Sequence, residues 1–97
     1  MATFIVLGNF TDQGIRGIKE SPKRSDAFKA LAAKAGCKVK DIFWTLGHYD
    51  IVTIVEAPDT ATATSLGLAV ASLGNVRTET LTAFSADEFG RILGKMP

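Results

Sequence analysis

Two short segments of this chain are apolar at nearly every position, and they limit its fold more than any other feature. They are Phe4 to Leu7 and Ile51 to Val55. Neighbouring side chains of an extended strand point to opposite faces of a sheet. Each segment therefore predicts a strand that is apolar on both faces, as is typical of the centre of a sheet.

The rest of the chain predicts two more strands and two helices. Residues 39–46 and 49–56 form a predicted hairpin, in which Gly47-His48 is the two-residue turn. A further strand is predicted over residues 76–84, and a short preliminary helix over 15–20.

The first main helix begins with Ser21 as N-cap and Pro22 at its first position, and ends at Gly36. Its predicted buried positions share one face at three- and four-residue spacing: Ala27, Phe28, Leu31, Ala32 and Ala35.

The second main helix is capped by Asp59, and its predicted buried face includes Ala63, Leu66, Val70 and Leu73. The resulting order is β-α-β-β-α-β followed by a C-terminal helix. This order predicts an α+β, ferredoxin-like fold with a four-stranded antiparallel sheet. The apolar first and third strands suit its centre, and the charged second and fourth strands suit its edges. Residues 1–97 are predicted to form a single domain.

The C-terminal segment has a specific helix-start signal. Ser85 and Glu88 have the spacing of a capping box, flanked by a hydrophobic staple of Phe84 and Phe89. We expect a helix from Ala86 to about residue 95 that presents Phe89, Ile92 and Leu93 to an apolar surface. Both main helices cover one face of the sheet, so its other apolar face must be covered either by the C-terminal helix or by a second copy of the chain. One short helix is narrow cover for four strands. The sequence therefore predicts a homodimer or larger homo-oligomer, formed sheet against sheet with the last helix assisting at the edge.

Charge and composition argue against several classes of partner. The formal net charge is +1, although residues 1–48 carry eight Lys and Arg against four Asp and Glu. This basic half predicts either a solvated helix face or an anion-attracting surface, but it lacks interleaved aromatic residues, so we expect no nucleic-acid partner.

No segment resembles a signal peptide or a membrane span, which leads us to expect a cytoplasmic protein without a membrane partner. Cys37 is the only cysteine and is interpreted as a small packed residue.

The chemically richest segment is Gly47-His48-Tyr49-Asp50. A histidine such as His48 can take part in proton transfer, Tyr49 can donate a hydrogen bond, and Asp50 can orient either one. The neighbouring strands bring Trp44 and Arg77 near this segment. In the competing interpretation, Gly47 and His48 only form the turn, Tyr49 packs, and Asp50 bonds the turn backbone. The single histidine, without a second histidine or a cysteine pair, predicts no metal site, and no cofactor is expected.

Four segments together carry a resemblance to a known family. They are residues 10–16, 43–50, 54–58 and 74–81, and the second contains Gly47-His48-Tyr49-Asp50. The chain resembles the GYD domain family over nearly its whole length. This resemblance implies pairing as a dimeric α/β barrel, and the hairpin is similar to one in the ligand-sensing domains of leucine-responsive regulators. No helix-turn-helix is present, so direct DNA binding does not carry over.

Three functions are consistent with these observations. The first is a homo-oligomeric small-molecule-binding or sensing module with its pocket at or near the dimer interface. The residues predicted to line that pocket are Trp44, His48, Tyr49, Asp50 and Arg77. The second is a structural or interaction subunit. The third is a small cofactor-independent enzyme of the monooxygenase or isomerase type, with His48 and Asp50 as its acid/base pair. The sequence contains no catalytic constellation, which favours a non-enzymatic role.

Overall fold

The fold is a four-stranded antiparallel sheet with two long helices on one face, and the computed structural model describes all 97 residues. The strands are β1 (Ala2–Phe10), β2 (Lys38–Trp44), β3 (Ile51–Ala57) and β4 (Val76–Ala83). The helices are α1 (Asp12–Arg16), α2 (Ser21–Lys34), α3 (Thr60–Ala71) and α4 (Ala86–Leu93), and a 3₁₀ turn (Ile18–Glu20) precedes α2. The strand order is β2-β3-β1-β4, which confirms the predicted ferredoxin-like topology.

The two central strands are the two that the sequence marked as apolar on both faces. Phe4 of β1 lies opposite Val55 of β3, and each is only 1% exposed beneath the helices. On the opposite face Ile5 lies between Ile54 of β3 and Leu81 of β4. No helix covers this second face, which we call the open face, and Leu81 is 42% exposed there.

The beginning of α2 differs from the prediction. Ser21 is not the N-cap but the first residue of the helix, and Glu20 occupies the N-cap position without a side-chain hydrogen bond. The Ser21 hydroxyl instead accepts a hydrogen bond of 2.8 Å from the indole Nε1 of Trp44. The short preliminary helix is also shifted: Thr11 caps α1, accepting from the backbone nitrogen of Gly14 at 3.0 Å.

Both long helices bury less of their apolar faces than predicted. Ala27 of α2 is exposed, as is Ala35, which follows the last residue of the helix. Helix α3 ends at Ala71, before Leu73, which is 64% exposed. Ala27 and Leu73 both line a gap of about 140 Å³ between α2 and α3. The two helices lie on the sheet without closing against each other, so side chains on their facing sides remain partly open.

The connection between β2 and β3 is longer than the predicted two-residue turn. It spans residues 45–50, and its ends are joined by the backbone bond from Thr45 nitrogen to Asp50 oxygen at 2.8 Å. The Thr45 hydroxyl donates to the backbone oxygen of Tyr49. Gly47 has a φ of +121°, a conformation that side-chain-bearing residues rarely adopt. The glycine prediction is therefore confirmed, and the turn length was wrong.

Helix α4 begins as predicted, but its apolar side chains have no cover. Both hydrogen bonds of the Ser85–Glu88 capping box are present. No residue of α4 is buried, and Phe89 and Leu93 are about half exposed. The molecule is elongated, with a radius of gyration of 14.5 Å against about 12.5 Å for a compact domain of this length. Helix α4 therefore does not complete the core of its own chain.

Candidate functional site

The Asp50 carboxylate is tied to the end of β1. Its Oδ2 accepts a hydrogen bond of 2.9 Å from the backbone nitrogen of Phe10. The backbone nitrogen of Asp50 donates to the oxygen of Gly8 at 2.8 Å. The Asp50 carboxylate therefore bonds the neighbouring strand rather than the backbone of its own turn, and the backbone of Asp50 extends the pairing of β1 with β3 by one step.

Tyr49 crosses β1 to reach β4. Its hydroxyl donates to the Oε2 of Glu79 at 2.8 Å, and this bond, together with the negative charge of Glu79, raises the phenol pKa. Glu79 lies opposite Leu7, on the open face. Arg77 precedes Glu79 by two residues, lies opposite Asn9 and is exposed. Tyr49, Arg77 and Glu79 thus form a polar group at one end of the open face.

His48 lies at the exposed tip of the turn. No hydrogen bond joins it to Asp50, whose carboxylate is bound to Phe10. The structure therefore does not assemble the His48–Asp50 acid/base pair that the sequence suggested. No group of three or more His, Cys, Asp or Glu side chains is arranged to hold a metal ion.

Trp44 lies on the other side of the sheet from Tyr49 and Arg77. It is the last residue of β2, pairs with Ile51, and its indole contacts Ser21 at the start of α2. All five residues predicted for the site are therefore near one end of the sheet, but they are divided between its two faces. Only Trp44 lines the cavity that the helices form with the sheet.

A cavity of about 90 Å³, partly open to solvent, is lined by α2, α3 and the helix-covered face of the sheet. It shares walls with the gap between the two helices, and the shared residues are Arg24, Phe28, Val70 and Val76. Sequence reasoning missed this cavity. Two signals were available: Thr53 interrupts an apolar central strand, and Gly67 interrupts helix α3. Both residues line the cavity.

The open face is a second candidate surface. Its apolar side chains come from all four strands and are half-buried or exposed: Ile5, Leu7, Phe43, Val52, Ile54 and Leu81. Phe43 is 52% exposed. A contiguous apolar surface of this kind is typical of an interaction site.

Cys37 has the packing role that the sequence indicated. It is 7% exposed at the start of β2 and joins the hydrophobic core. Burial, with a smaller contribution from the charge of Asp59, raises the pKa of its thiol. The thiolate, which is the reactive form, is therefore disfavoured.

The fold and its surfaces define the class of protein: a small ferredoxin-like domain with an uncovered apolar sheet face and a partly open cavity between the helices and the sheet. The sequence matches the GYD domain over residues 4–93, and the chain belongs to the GYD domain family. A curated relative from the bacterium Thermus thermophilus is named "Glutamine synthetase and cystathionine beta-lyase binding protein". It is 39% identical over 94 residues, which are 95% of this chain and 99% of the relative.

A solved structure shows the same architecture. The crystal structure of TTHA0845, also from Thermus thermophilus, is similar to this chain with a TM-score of 0.58 at 28% sequence identity. The match covers 89% of this chain and 96% of that one. None of the helices of this chain combines the length and the apolar content needed to cross a lipid bilayer.

Proposed function

We propose that this chain is a protein-binding module that acts as a homodimer. In the dimer, the open face and α4 of each copy cover those of the other. The observation that carries this proposal is the uncovered apolar open face, together with the unburied apolar side of α4. The name of the Thermus thermophilus relative, which describes binding to two enzymes, supports a role in binding other proteins.

The exposed area of the chain is larger than that of a compact monomer. The solvent-accessible surface is 6508 Å², whereas a folded monomer of 10.3 kDa exposes roughly 5,400 Å². The excess is on the order of 1,100 Å², and a standard interface buries about 800 Å² on each partner. The excess exposed area of one copy is therefore as large as the area that a stable dimer interface buries on each partner.

Helix α4 is too short to be stable without tertiary contacts. It has 8 residues, and isolated helices below about 12–15 residues are marginal in water. Its capping box stabilises the first turn but covers no apolar side chain. A second copy that receives Phe89, Ile92 and Leu93 would stabilise the helix through packing.

The charges around the open face suit a second copy of the same chain. A symmetric dimer places identical surfaces against each other, so the surface must be complementary to itself. One end of the face has Arg77 near Glu79, and at the other end Lys40 and Glu56 form an ion pair of 3.6 Å. Both ends therefore contain both signs of charge.

Analytical ultracentrifugation over a wide concentration range tests the dimer. We expect a dimer for the wild-type chain, and a monomer for Phe43→Glu and Leu81→Glu, which place a charge on the open face. Ala30→Glu, at an exposed position of α2, is the matched control and should remain dimeric. Circular dichroism checks that each variant is folded. A wild-type monomer at every concentration, or dimers of both open-face variants, would contradict the proposal.

Protein binding is tested with glutamine synthetase and cystathionine beta-lyase from the organism that supplies this chain. Biolayer interferometry should show micromolar binding of the wild-type chain to at least one of them. Ala30→Glu again serves as the folded control. Absence of binding to both enzymes would overturn the protein-binding role while leaving the dimer to be judged by ultracentrifugation.

The small-molecule site predicted around Trp44, His48, Tyr49, Asp50 and Arg77 remains a separate proposal. In the proposed dimer, Tyr49 and Arg77 would lie at the interface. Native mass spectrometry of the chain purified without added ligand should then show a dimer with a reproducible extra mass. Tyr49→Phe should reduce that occupancy. Asp50→Asn is preferable to alanine because the carboxylate also bonds Phe10. A bare dimer would argue against this site.

A further inference from the structure

The cavity between α2, α3 and the sheet combines apolar walls with one cationic group. Phe28, Leu66 and Val70 line it from the helices, and Trp44 and the buried Thr53 line it from the sheet. The cavity measures about 90 Å³ and the adjoining gap about 140 Å³. An engineered apolar cavity of about 150 Å³ holds a benzene ring. The cavity alone is smaller than this, so an aromatic ring would occupy the cavity together with the adjoining gap.

The cationic group is the Arg24 guanidinium, which lines both the cavity and the gap. It is half-buried, and it takes part in neither of the two ion pairs of the chain, Glu20–Lys23 and Lys40–Glu56. A half-buried charge without an opposite charge is unfavourable, and a bound anion would relieve this. Charge complementarity therefore favours a ligand with an anionic group.

Arg24 is also held in position before any ligand binds. Its Nη1 donates to the backbone oxygen of Gly14 at 3.2 Å, and its Nη2 donates to that of Gly17 at 2.8 Å. A guanidinium has five N–H donors, so others remain for a carboxylate. A fixed guanidinium loses less conformational entropy on binding than a mobile one.

We propose that this cavity binds a small aromatic carboxylic acid. The ring lies between Phe28 and Leu66 near the edge of Trp44, and the carboxylate binds Arg24. The aromatic walls favour a flat ring over an aliphatic chain, because aromatic pairs gain energy beyond the area that they bury. This site lies on the helix-covered side of the sheet, so it does not depend on the proposed dimer or on protein binding.

The test is an NMR titration of the wild-type chain with 2-naphthoate, with neutral 2-naphthamide as the matched probe. Trp44 is the only tryptophan and lines the cavity, so its indole N–H gives one unambiguous signal at the cavity wall. We expect 2-naphthoate to shift this signal and the amides of Thr53 and Leu66. 2-Naphthamide should shift the same signals with weaker affinity.

Two variants at the guanidinium separate the charge from the fold. Arg24→Met should weaken 2-naphthoate binding by roughly tenfold or more, as expected for the loss of a charge-assisted hydrogen bond. Arg24→Met should leave the affinity for 2-naphthamide unchanged.

Gly17→Ala keeps the arginine, but the new Cβ would lie 2.4 Å from the Arg24 Nη2 and displace the guanidinium. This variant should therefore weaken the binding of 2-naphthoate in the same way. Lys29→Met, which removes an exposed charge from the same helix, is the control and should bind like wild type.

Gly67→Leu provides a test of the cavity itself. A Cβ at this position meets only the hydroxyl oxygens of Thr78 and Thr80, at 3.8 and 3.9 Å, so the variant should fold while its side chain fills the space. Binding of both probes should be lost.

The proposal is overturned by an absence of shifts at Trp44 and Thr53, or by shifts confined to open-face residues such as Ile5 and Val52. Equal affinity of wild type and Arg24→Met for 2-naphthoate would overturn the role of Arg24.

Discussion

The phenol of Tyr49 donates its proton to one identified acceptor, the carboxylate of Glu79. Ionisation of the phenol would break this bond and place two negative charges side by side, so the pKa lies above the ordinary value of about 10. The protonated phenol therefore contributes to folding stability below the unfolded-state pKa. That contribution is lost as the pH rises through the folded-state pKa.

Glu79→Gln should lower the pKa of Tyr49 toward its ordinary value. Tyr49 is the only tyrosine, so the ultraviolet absorbance of phenolate during an alkaline titration reports on it alone. Glu56→Gln removes a different carboxylate from the same sheet and should leave the titration unchanged. Identical curves for wild type and Glu79→Gln would show that the bond is absent in solution.

Cys37 should react slowly with thiol reagents in the native state. It is buried and burial raises its pKa, so little thiolate is accessible at neutral pH. Labelling with a chromogenic disulfide reagent should be slow in buffer and rapid in denaturant. Rapid labelling of the folded chain would mean that the start of β2 opens locally.

Individual side chains were the least predictable part of this molecule. Sequence reasoning placed Trp44, Tyr49 and Arg77 near one end of the sheet, and the structure agrees. It could not assign the three to faces relative to one another, because Tyr49 lies in the connection of residues 45–50, which does not follow the strict alternation of a strand. It also could not find Arg24, whose hydrogen bonds to Gly14 and Gly17 depend on how α1 meets α2.

At the scale of elements, local signals worked where the chain itself supplies the bonding partner. Ser85 and Glu88 are three residues apart, and both bonds of their capping box are present. Ser21 has the same type of sequence signal, but its hydroxyl bonds Trp44, which is 23 residues away. A long-range partner of this kind is invisible to helix-capping rules.

Two glycines in helices should respond to substitution in opposite ways. Gly67→Ala should raise the free energy of unfolding by about 0.5–1 kcal/mol, because alanine favours the helix and its Cβ has space. Gly14→Ala should lower it by about 1–3 kcal/mol, because its Cβ would lie 1.9 Å from the backbone oxygen of Asn75. Urea unfolding of both variants under the same conditions measures the difference. Equal stability of the two would mean that the contact between α1 and the turn before β4 is looser than described.

At the scale of the whole molecule, only 11 of 97 residues are buried, and the core contains few large side chains. The sequence predicted the order of the elements and the uncovered apolar face, because both follow from hydrophobic pattern. The gap between α2 and α3 could not be predicted, since it depends on the volumes of side chains that meet across two helices.

The proposed dimer makes the stability of the chain depend on its concentration. Because two folded copies associate while unfolded chains do not, the melting temperature should rise with protein concentration. Differential scanning calorimetry over a wide range measures this effect, and Phe43→Glu should abolish it. A melting temperature of the wild-type chain that is independent of concentration would indicate a monomer.

The strand order also has a consequence for synthesis. The central strand β1 is near the beginning of the chain, yet its two neighbours are β3 and β4, and the second of these ends at Ala83. During translation, both edges of β1 can therefore be paired only after the chain has emerged as far as Ala83. Pairings so distant in sequence form slowly. Until then Phe4 to Leu7 is an apolar segment with at least one unpaired edge, the kind of surface on which nascent chains aggregate or recruit chaperones.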